Sequence, residues 1–182
     1  MKRSILGLGI CLALTGCQKN EKTLAAEPER YFDYPAYFNS EIAQIKKDSL
    51  LKISADTDTS LTTKVSRDQF VKSIEFLDKL DINRAAWIGK FNVDSINTED
   101  GLTIRYKSLD EAVPLKILET HYYKGQDAAF KVNITKETES PLSSFKQEIK
   151  YSRETKSLEI YNQQQKKLGK DPTNFIRLVY SW

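Results

Sequence analysis

His121 is the only histidine among the 182 residues of the chain, and Glu119 stands two positions before it. On a strand, residues two apart share a face, so an imidazole and a carboxylate would stand side by side. That pair is the smallest unit from which a metal site or an acid–base site could be built. No second histidine supports it, and its neighbours are Tyr122 and Tyr123, so the same residues serve equally well as ordinary sheet positions. Asp56-Thr57-Asp58 has the opening of a calcium loop but lacks the third acidic ligand, the glycine and the closing glutamate. Turn chemistry accounts for it more simply. The chain has no Gly-x-Ser-x-Gly elbow, no Gly-x-Gly-x-x-Gly fingerprint and no His-Glu-x-x-His helix. Seven glycines in all leave little material for a glycine-rich phosphate cradle. These residues point away from an enzyme, and no cofactor or metal is expected.

The cysteines carry a different chemistry. Lys2 and Arg3 precede an apolar run from Ile5 to Leu14, whose ten residues are too few to cross a hydrocarbon core that needs about 20. A charged start, a short apolar run and small residues at its end mark a secretion signal. The run closes on Leu14-Thr15-Gly16-Cys17, which resembles the lipobox of the bacterial lipoproteins. The resemblance implies diacylglycerol on the Cys17 sulfur, cleavage before it, and acylation (a palmitate-type chain) of the new N-terminus. Such chains give stable anchoring at about 0.8 kcal/mol per buried CH₂. In the sorting pattern of that class, Gln18 replaces the aspartate that retains lipoproteins in the inner membrane. The implied address is the outer membrane facing the periplasm, with the cell surface as the alternative.

Cleavage would leave 166 residues, with 26 basic groups against 25 acidic ones. A balance this even excludes a nucleic-acid binder, which needs a basic patch. Cys11 would leave with the leader and Cys17 would carry lipid. Thiolate catalysis, cysteine–zinc sites and disulfides are then excluded, and stability must come from a hydrophobic core. The expected organisation is a signal peptide over 1–16, a lipidated cysteine and tether over 17–30, and one domain over 31–182.

Within that domain the apolar period changes once. Phe38, Ile42 and Ile45 predict a helix from Asn39 or Ser40 towards Ser49. Leu50–Ser54 and Leu61–Val65 then read as a short hairpin. Ser66-Arg67-Asp68-Gln69 has the form of a capping box, and Phe70, Ile74, Leu77 and Leu80 give the next helix one apolar stripe. From Ala86 onwards the period is two. Trp87-Phe91-Val93, Leu102-Ile104-Tyr106, Phe130-Val132-Ile134, Phe145-Ile149-Tyr151, Leu158-Ile160 and Ile176-Leu178-Tyr180-Trp182 each alternate with polar residues, as half-buried strands do. The segment Val113–Tyr123 alternates imperfectly, which predicts a bulge or two partly covered faces. Short turn-forming gaps, the last at Gly169-Lys170-Asp171-Pro172, make neighbours pair as hairpins. The predicted architecture is α+β: N-terminal helices packed on a curved antiparallel meander of about seven strands. The alternative is a lipocalin-like closed barrel. Residues 86–182 resemble, in this pattern, uncharacterised envelope lipoproteins with a small α+β meander domain.

The aromatic burst Tyr31, Phe32, Tyr34, Tyr37, Phe38 is the remaining candidate for function. Tyrosines offer flat apolar area with a polar tip, which suits a partner surface. Burial of the phenylalanines, with the tyrosines as a rim, explains the burst as well. Candidate contact residues are therefore Tyr31, Tyr34 and Tyr37 here, and Glu119, His121 and Tyr123 on the irregular strand. The expected role is a non-catalytic, membrane-anchored protein-interaction or accessory factor. A carrier of a hydrophobic ligand or lipid in the periplasm is the alternative.

Overall fold

The computed structural model describes residues 30–56, 58–167 and 174–182. The signal peptide, Cys17, the tether up to residue 29 and the turn at Gly169–Pro172 lie outside the described residues.

The first helix, α1, spans Tyr34–Ala43: it starts about one and a half turns earlier than the apolar spacing predicts and ends at Ala43 instead of running on towards Ser49. Asp33 caps it by accepting from the Ala36 amide at 3.0 Å, and Pro35 stands in the first turn, where its missing N–H costs nothing. Part of the aromatic burst thus lies inside the helix: Tyr34, Phe38 and Glu41, at i, i+4 and i+7, form its buried face, while Tyr31 and Phe32 precede the cap. The hairpin of β1 (Ser49–Ala55) and β2 (Ser60–Ser66) forms as read.

Ser66 then caps α2 (Arg67–Ile74) through a complete capping box. Its hydroxyl accepts from the Gln69 amide at 3.2 Å, and the Gln69 side chain accepts from the Ser66 amide at 2.9 Å. Beyond Ile74 the helix tightens to 3₁₀ over Glu75–Leu80. The spacing supplies a reason. Ile74, Leu77 and Leu80 recur every three residues, so a helix of three residues per turn stacks them on one line, and all three are buried.

Seven strands follow: β3 (Phe91–Asn97), β4 (Gly101–Ser108), β5 (Leu115–Tyr123), β6 (Lys131–Glu139), β7 (Ser143–Ser152), β8 (Ser157–Lys166) and β9 (Asn174–Ser181). They pair in sequence as an antiparallel meander. The β1–β2 hairpin then adds to β9, giving one nine-stranded sheet in the order β2-β1-β9-β8-β7-β6-β5-β4-β3. The sheet is open, with β2 and β3 as its edges, so the closed-barrel alternative does not hold. The helices are small, and the architecture is mostly β. Trp87 lies in the turn before β3 and Val113 in the loop before β5, both outside the strands expected of them.

Alternation sorts the strands into two faces. On one, Tyr106, Leu118, Ile134, Ile149, Ile160 and Leu178 pair in a continuous cross-strand row. The row beside it holds Thr120, Val132, Tyr151, Leu158 and Tyr180. The helices cover this face: Phe70 of α2 meets Tyr180 and Trp182, and Phe38 of α1 meets Tyr151. The register shift expected in the irregular strand falls between Leu115 and Ile117. One extra residue, Lys116, puts Leu115 and Leu118 on the same side, both fully buried. Ile117, Glu119, His121 and Tyr123 are left on the opposite face.

Candidate functional site

The face turned away from the helices carries charged and polar side chains beside exposed Leu51, Ile53 and Ile96, and its polar groups are bonded both across strands and along them. Register explains how. Arg105 on β4 stands opposite Glu119 on β5, and Thr103 stands opposite His121. Arg105 Nε donates to Glu119 Oε1 at 2.6 Å. His121 sits between two partners, Thr103 Oγ1 at 3.0 Å from Nδ1 and Asn133 Nδ2 at 3.1 Å from Nε2. With the Asn133 amide donating to Nε2, the ring proton sits on Nδ1 and is donated to Thr103. Burial holds the imidazole below its ordinary pKa, Lys131 and Arg105 push the same way, and Glu119 opposes them. The ring is neutral and occupied on both sides. Glu119 is committed to Arg105 rather than to His121.

Farther across the same face, Tyr161 on β8 is flanked by two cations, with Lys150 Nζ 5.1 Å and the Arg177 guanidinium 5.3 Å from its ring centre. Its hydroxyl donates to Glu159 at 2.9 Å, and Arg177 donates to the same carboxylate at 3.1 Å. Lys146 and Lys150 bracket Glu148 at 2.9 and 3.6 Å. Near the ends of β6 and β8, Lys116, Glu137, Ser144, Lys146 and Gln163 line an open groove of about 830 Å³. None of the residues named on this face is buried. Among the described residues no group of three or more His, Cys, Asp or Glu side chains is placed to hold a metal ion. Asp56 closes an Asx turn, its Oδ1 accepting from the amides of Asp58 and Thr59 and from the Thr59 hydroxyl.

The sequence-predicted contact residues do not form one site. Tyr34 is only 1% exposed and stacks on Phe38. It is a core residue and no surface contact, because its place on the inner stripe of α1 directs it into the sheet. Tyr37 is half-buried, donates to the Ala129 carbonyl at 2.8 Å and lies edge-on to Tyr151. Tyr31 packs edge-on against Phe91 and Tyr106. Tyr123 is more open, stacked on Phe130 with its hydroxyl bonded to Glu154. Glu119 and His121 do share a face, as their spacing required.

Sequence reasoning missed a buried carboxylate. Glu41 reaches from α1 to the sheet, where it accepts from Tyr151 Oη at 2.5 Å and from Arg153 Nε and Nη2 at 3.0 and 2.5 Å. The Arg153 guanidinium also lies 5.9 Å from the Tyr37 ring centre. Burial and the carboxylate together hold the Tyr151 hydroxyl far above its ordinary pKa. The cluster clamps α1 onto the sheet. Only one signal in the sequence hinted at it: Glu41 falls on the Tyr34–Phe38 stripe, where a surface glutamate has no place.

With this geometry in view, comparison with known proteins adds one finding. Residues 1–18 match the family model of the prokaryotic membrane lipoprotein lipid attachment site. The protein is a membrane-anchored lipoprotein. The matched segment contains Cys17, the residue expected to carry the lipid. No curated protein matches the chain, and no solved structure matches it.

Proposed function

We propose that this lipoprotein is a non-catalytic binding module of the bacterial envelope, held at the outer membrane facing the periplasm, whose helix-free sheet face receives a protein partner. The observation that carries the reading is the contrast between the two faces. The helices bury one of them, while the other presents Arg105–Glu119, His121 between Thr103 and Asn133, and Tyr161 between two cations. Charges fixed by their neighbours lose little freedom on binding, which is how polar surfaces gain affinity and specificity. Gln18 after the anchor cysteine supports the outer-membrane address, as in the sorting pattern of the class. The non-catalytic reading is supported by the occupied ring of His121 and by Glu119 being held by Arg105.

The carrier alternative has less support. It calls for an enclosed apolar chamber between helix and sheet, whereas Phe70, Ile74, Leu77 and Leu80 pack there with at most 3% exposure. The 830 Å³ groove lies on the other face and is lined mostly by polar residues.

Photo-crosslinking in living cells tests the proposal. A crosslinker at Arg105, Lys150 or Tyr161 of the full lipoprotein is expected to capture one discrete envelope protein. The same crosslinker at Lys72 or Lys79, on the outer side of the helical layer, is expected to capture none. Identical adduct patterns from the two sides would remove the reading.

A further inference from the structure

The described chain enters the fold at one particular end of the sheet. The Tyr31 amide donates to Asn83 Oδ1 at 2.7 Å, and the Gly89 amide donates to Tyr31 Oη at 3.0 Å. The start of the fold is thus pinned beside the turn that leads into β3. That turn reverses at Gly89, whose φ of +77° suits glycine, and its neighbours carry the features of interest. Ile88 is 40% exposed. The Lys90 carbonyl accepts from the Leu109 amide at 2.8 Å, and Leu109 is 69% exposed. The antiparallel register brings the β6–β7 turn to this same end of the sheet, and that turn presents Leu142, 64% exposed.

At the opposite end the turns are polar: Thr98-Glu99-Asp100, Lys124-Gly125-Gln126-Asp127 and Arg153-Glu154-Thr155-Lys156. Charge at the apolar end is mixed: Asp110 is paired with Lys90 and Glu139 with Lys167, and Glu111 in the β4–β5 turn and Asp56 and Asp58 in the β1–β2 turn are exposed there as well. Arg84 lies over the Trp87 ring, and neither it nor Lys107 has a carboxylate partner among the described residues.

From these observations we infer that this end of the sheet seats on the bilayer that holds the anchor. Ile88, Leu109 and Leu142 enter the headgroup layer, and Arg84 and Lys107 face the phosphates of anionic phospholipid. The length of the connection favours this occupant over others. Thirteen residues, Gln18 to Arg30, separate the lipidated cysteine from the fold, and they span at most ~45 Å. Within that radius the membrane is present at high effective concentration, so a contact of three side chains and two charges, too weak to act alone, is populated. Seated this way, the strands stand up from the membrane and the helix-free face opens sideways into solvent.

The test uses the full mature lipoprotein in vesicles of phosphatidylethanolamine and phosphatidylglycerol. Its one native cysteine is the lipid attachment position, so an introduced cysteine takes a nitroxide label uniquely. Labels at L109C and L142C are expected to collide several-fold more with dissolved oxygen than with a water-soluble nickel complex. Labels at E99C and Q126C are expected to show the reverse. Equal access of the nickel complex to both ends would overturn the proposal. Shielding at 109 and 142 that rises with the protein-to-lipid ratio would overturn it too, because it would assign the leucines to a second copy of the chain. All four positions are exposed, and circular dichroism is the check that each variant folds.

Discussion

Two arginine–glutamate pairs, one on each face of the sheet, show how the same chemistry serves different ends. Arg153 and Glu41 join α1 to the covered face. Arg105 and Glu119 bridge β4 and β5 on the open face. Each is a short charge-assisted bond, at 2.5 Å and 2.6 Å. What differs is the surroundings. The two arginines are similarly exposed, at 39% and 44%, but the Glu41 side chain is 5% exposed and also accepts from a tyrosine, whereas the Glu119 side chain is 19% exposed. The inner carboxylate has exchanged water entirely for protein donors, so removing any donor leaves a stranded charge. The outer pair keeps water as an alternative partner, so it adds little to stability and remains available to another molecule. Position in the layers, rather than residue type, separates a structural clamp from a binding surface.

Mutations can break this comparison in order of effect. Phe70→Ala removes the fully buried ring that packs on Tyr180 and Trp182, and urea unfolding is expected to show a loss of about 3–5 kcal/mol. Arg153→Ala leaves Glu41 buried with only Tyr151 as donor, and a loss on the order of 3 kcal/mol is expected. A loss below 1 kcal/mol would mean that α1 shifts to let water reach Glu41, and the contrast between the faces would be smaller than the geometry implies. Glu119→Gln, by comparison, is expected to cost less than about 1 kcal/mol and to leave the unfolding midpoint almost unchanged in high salt, where screening already weakens the pair. If it cost as much as Arg153→Ala, the open face would be part of the structural frame.

How much of this was legible beforehand depended on how local the cause was. The capping box at Ser66–Gln69, most of the strand alternation and the irregularity near Lys116 are set by neighbouring residues and formed where their patterns stood, with Trp87, Val113 and Phe130 falling just outside their strands. The helix predicted from Asn39 or Ser40 begins at Tyr34 instead, because the spacing of Phe38, Ile42 and Ile45 leaves out the residues of its first turn, Tyr34 and Pro35. Only the cap at Asp33 and the burial of Glu41 show that they belong to the helix. The attachment of β1 to β9 pairs Leu51 with Ser181, far apart in sequence, and nothing local announces it. Cross-strand partners were equally hidden. Glu119 and His121 were visible as a same-face pair by their spacing, but Arg105, Thr103 and Asn133 complete the cluster only through the registers of β4 and β6. Alternation says which way a side chain points, and register says whom it meets.

The smallest predicted effect is a pH dependence centred on His121. Burial, Lys131 and Arg105 lower its pKa in the fold, against an ordinary value of 6.5. The unfolded chain therefore binds the proton more readily than the folded one, and stability rises with pH wherever that difference is felt. The contribution is complete above about pH 6.5 and is lost as the pH falls towards the folded-state value. Carboxylates titrate in the lower part of this range as well, so wild type must be compared with His121→Gln, which keeps a hydrogen-bonding side chain but cannot take up a proton. The Tm of the wild type is expected to fall further than that of the variant between pH 7.5 and pH 5.5. Parallel curves would show that water reaches the ring freely, which would make His121 an ordinary surface residue and the open face less organised than its hydrogen bonds suggest. A steeper fall in the wild type would instead show that the fold holds His121 neutral between Thr103 and Asn133.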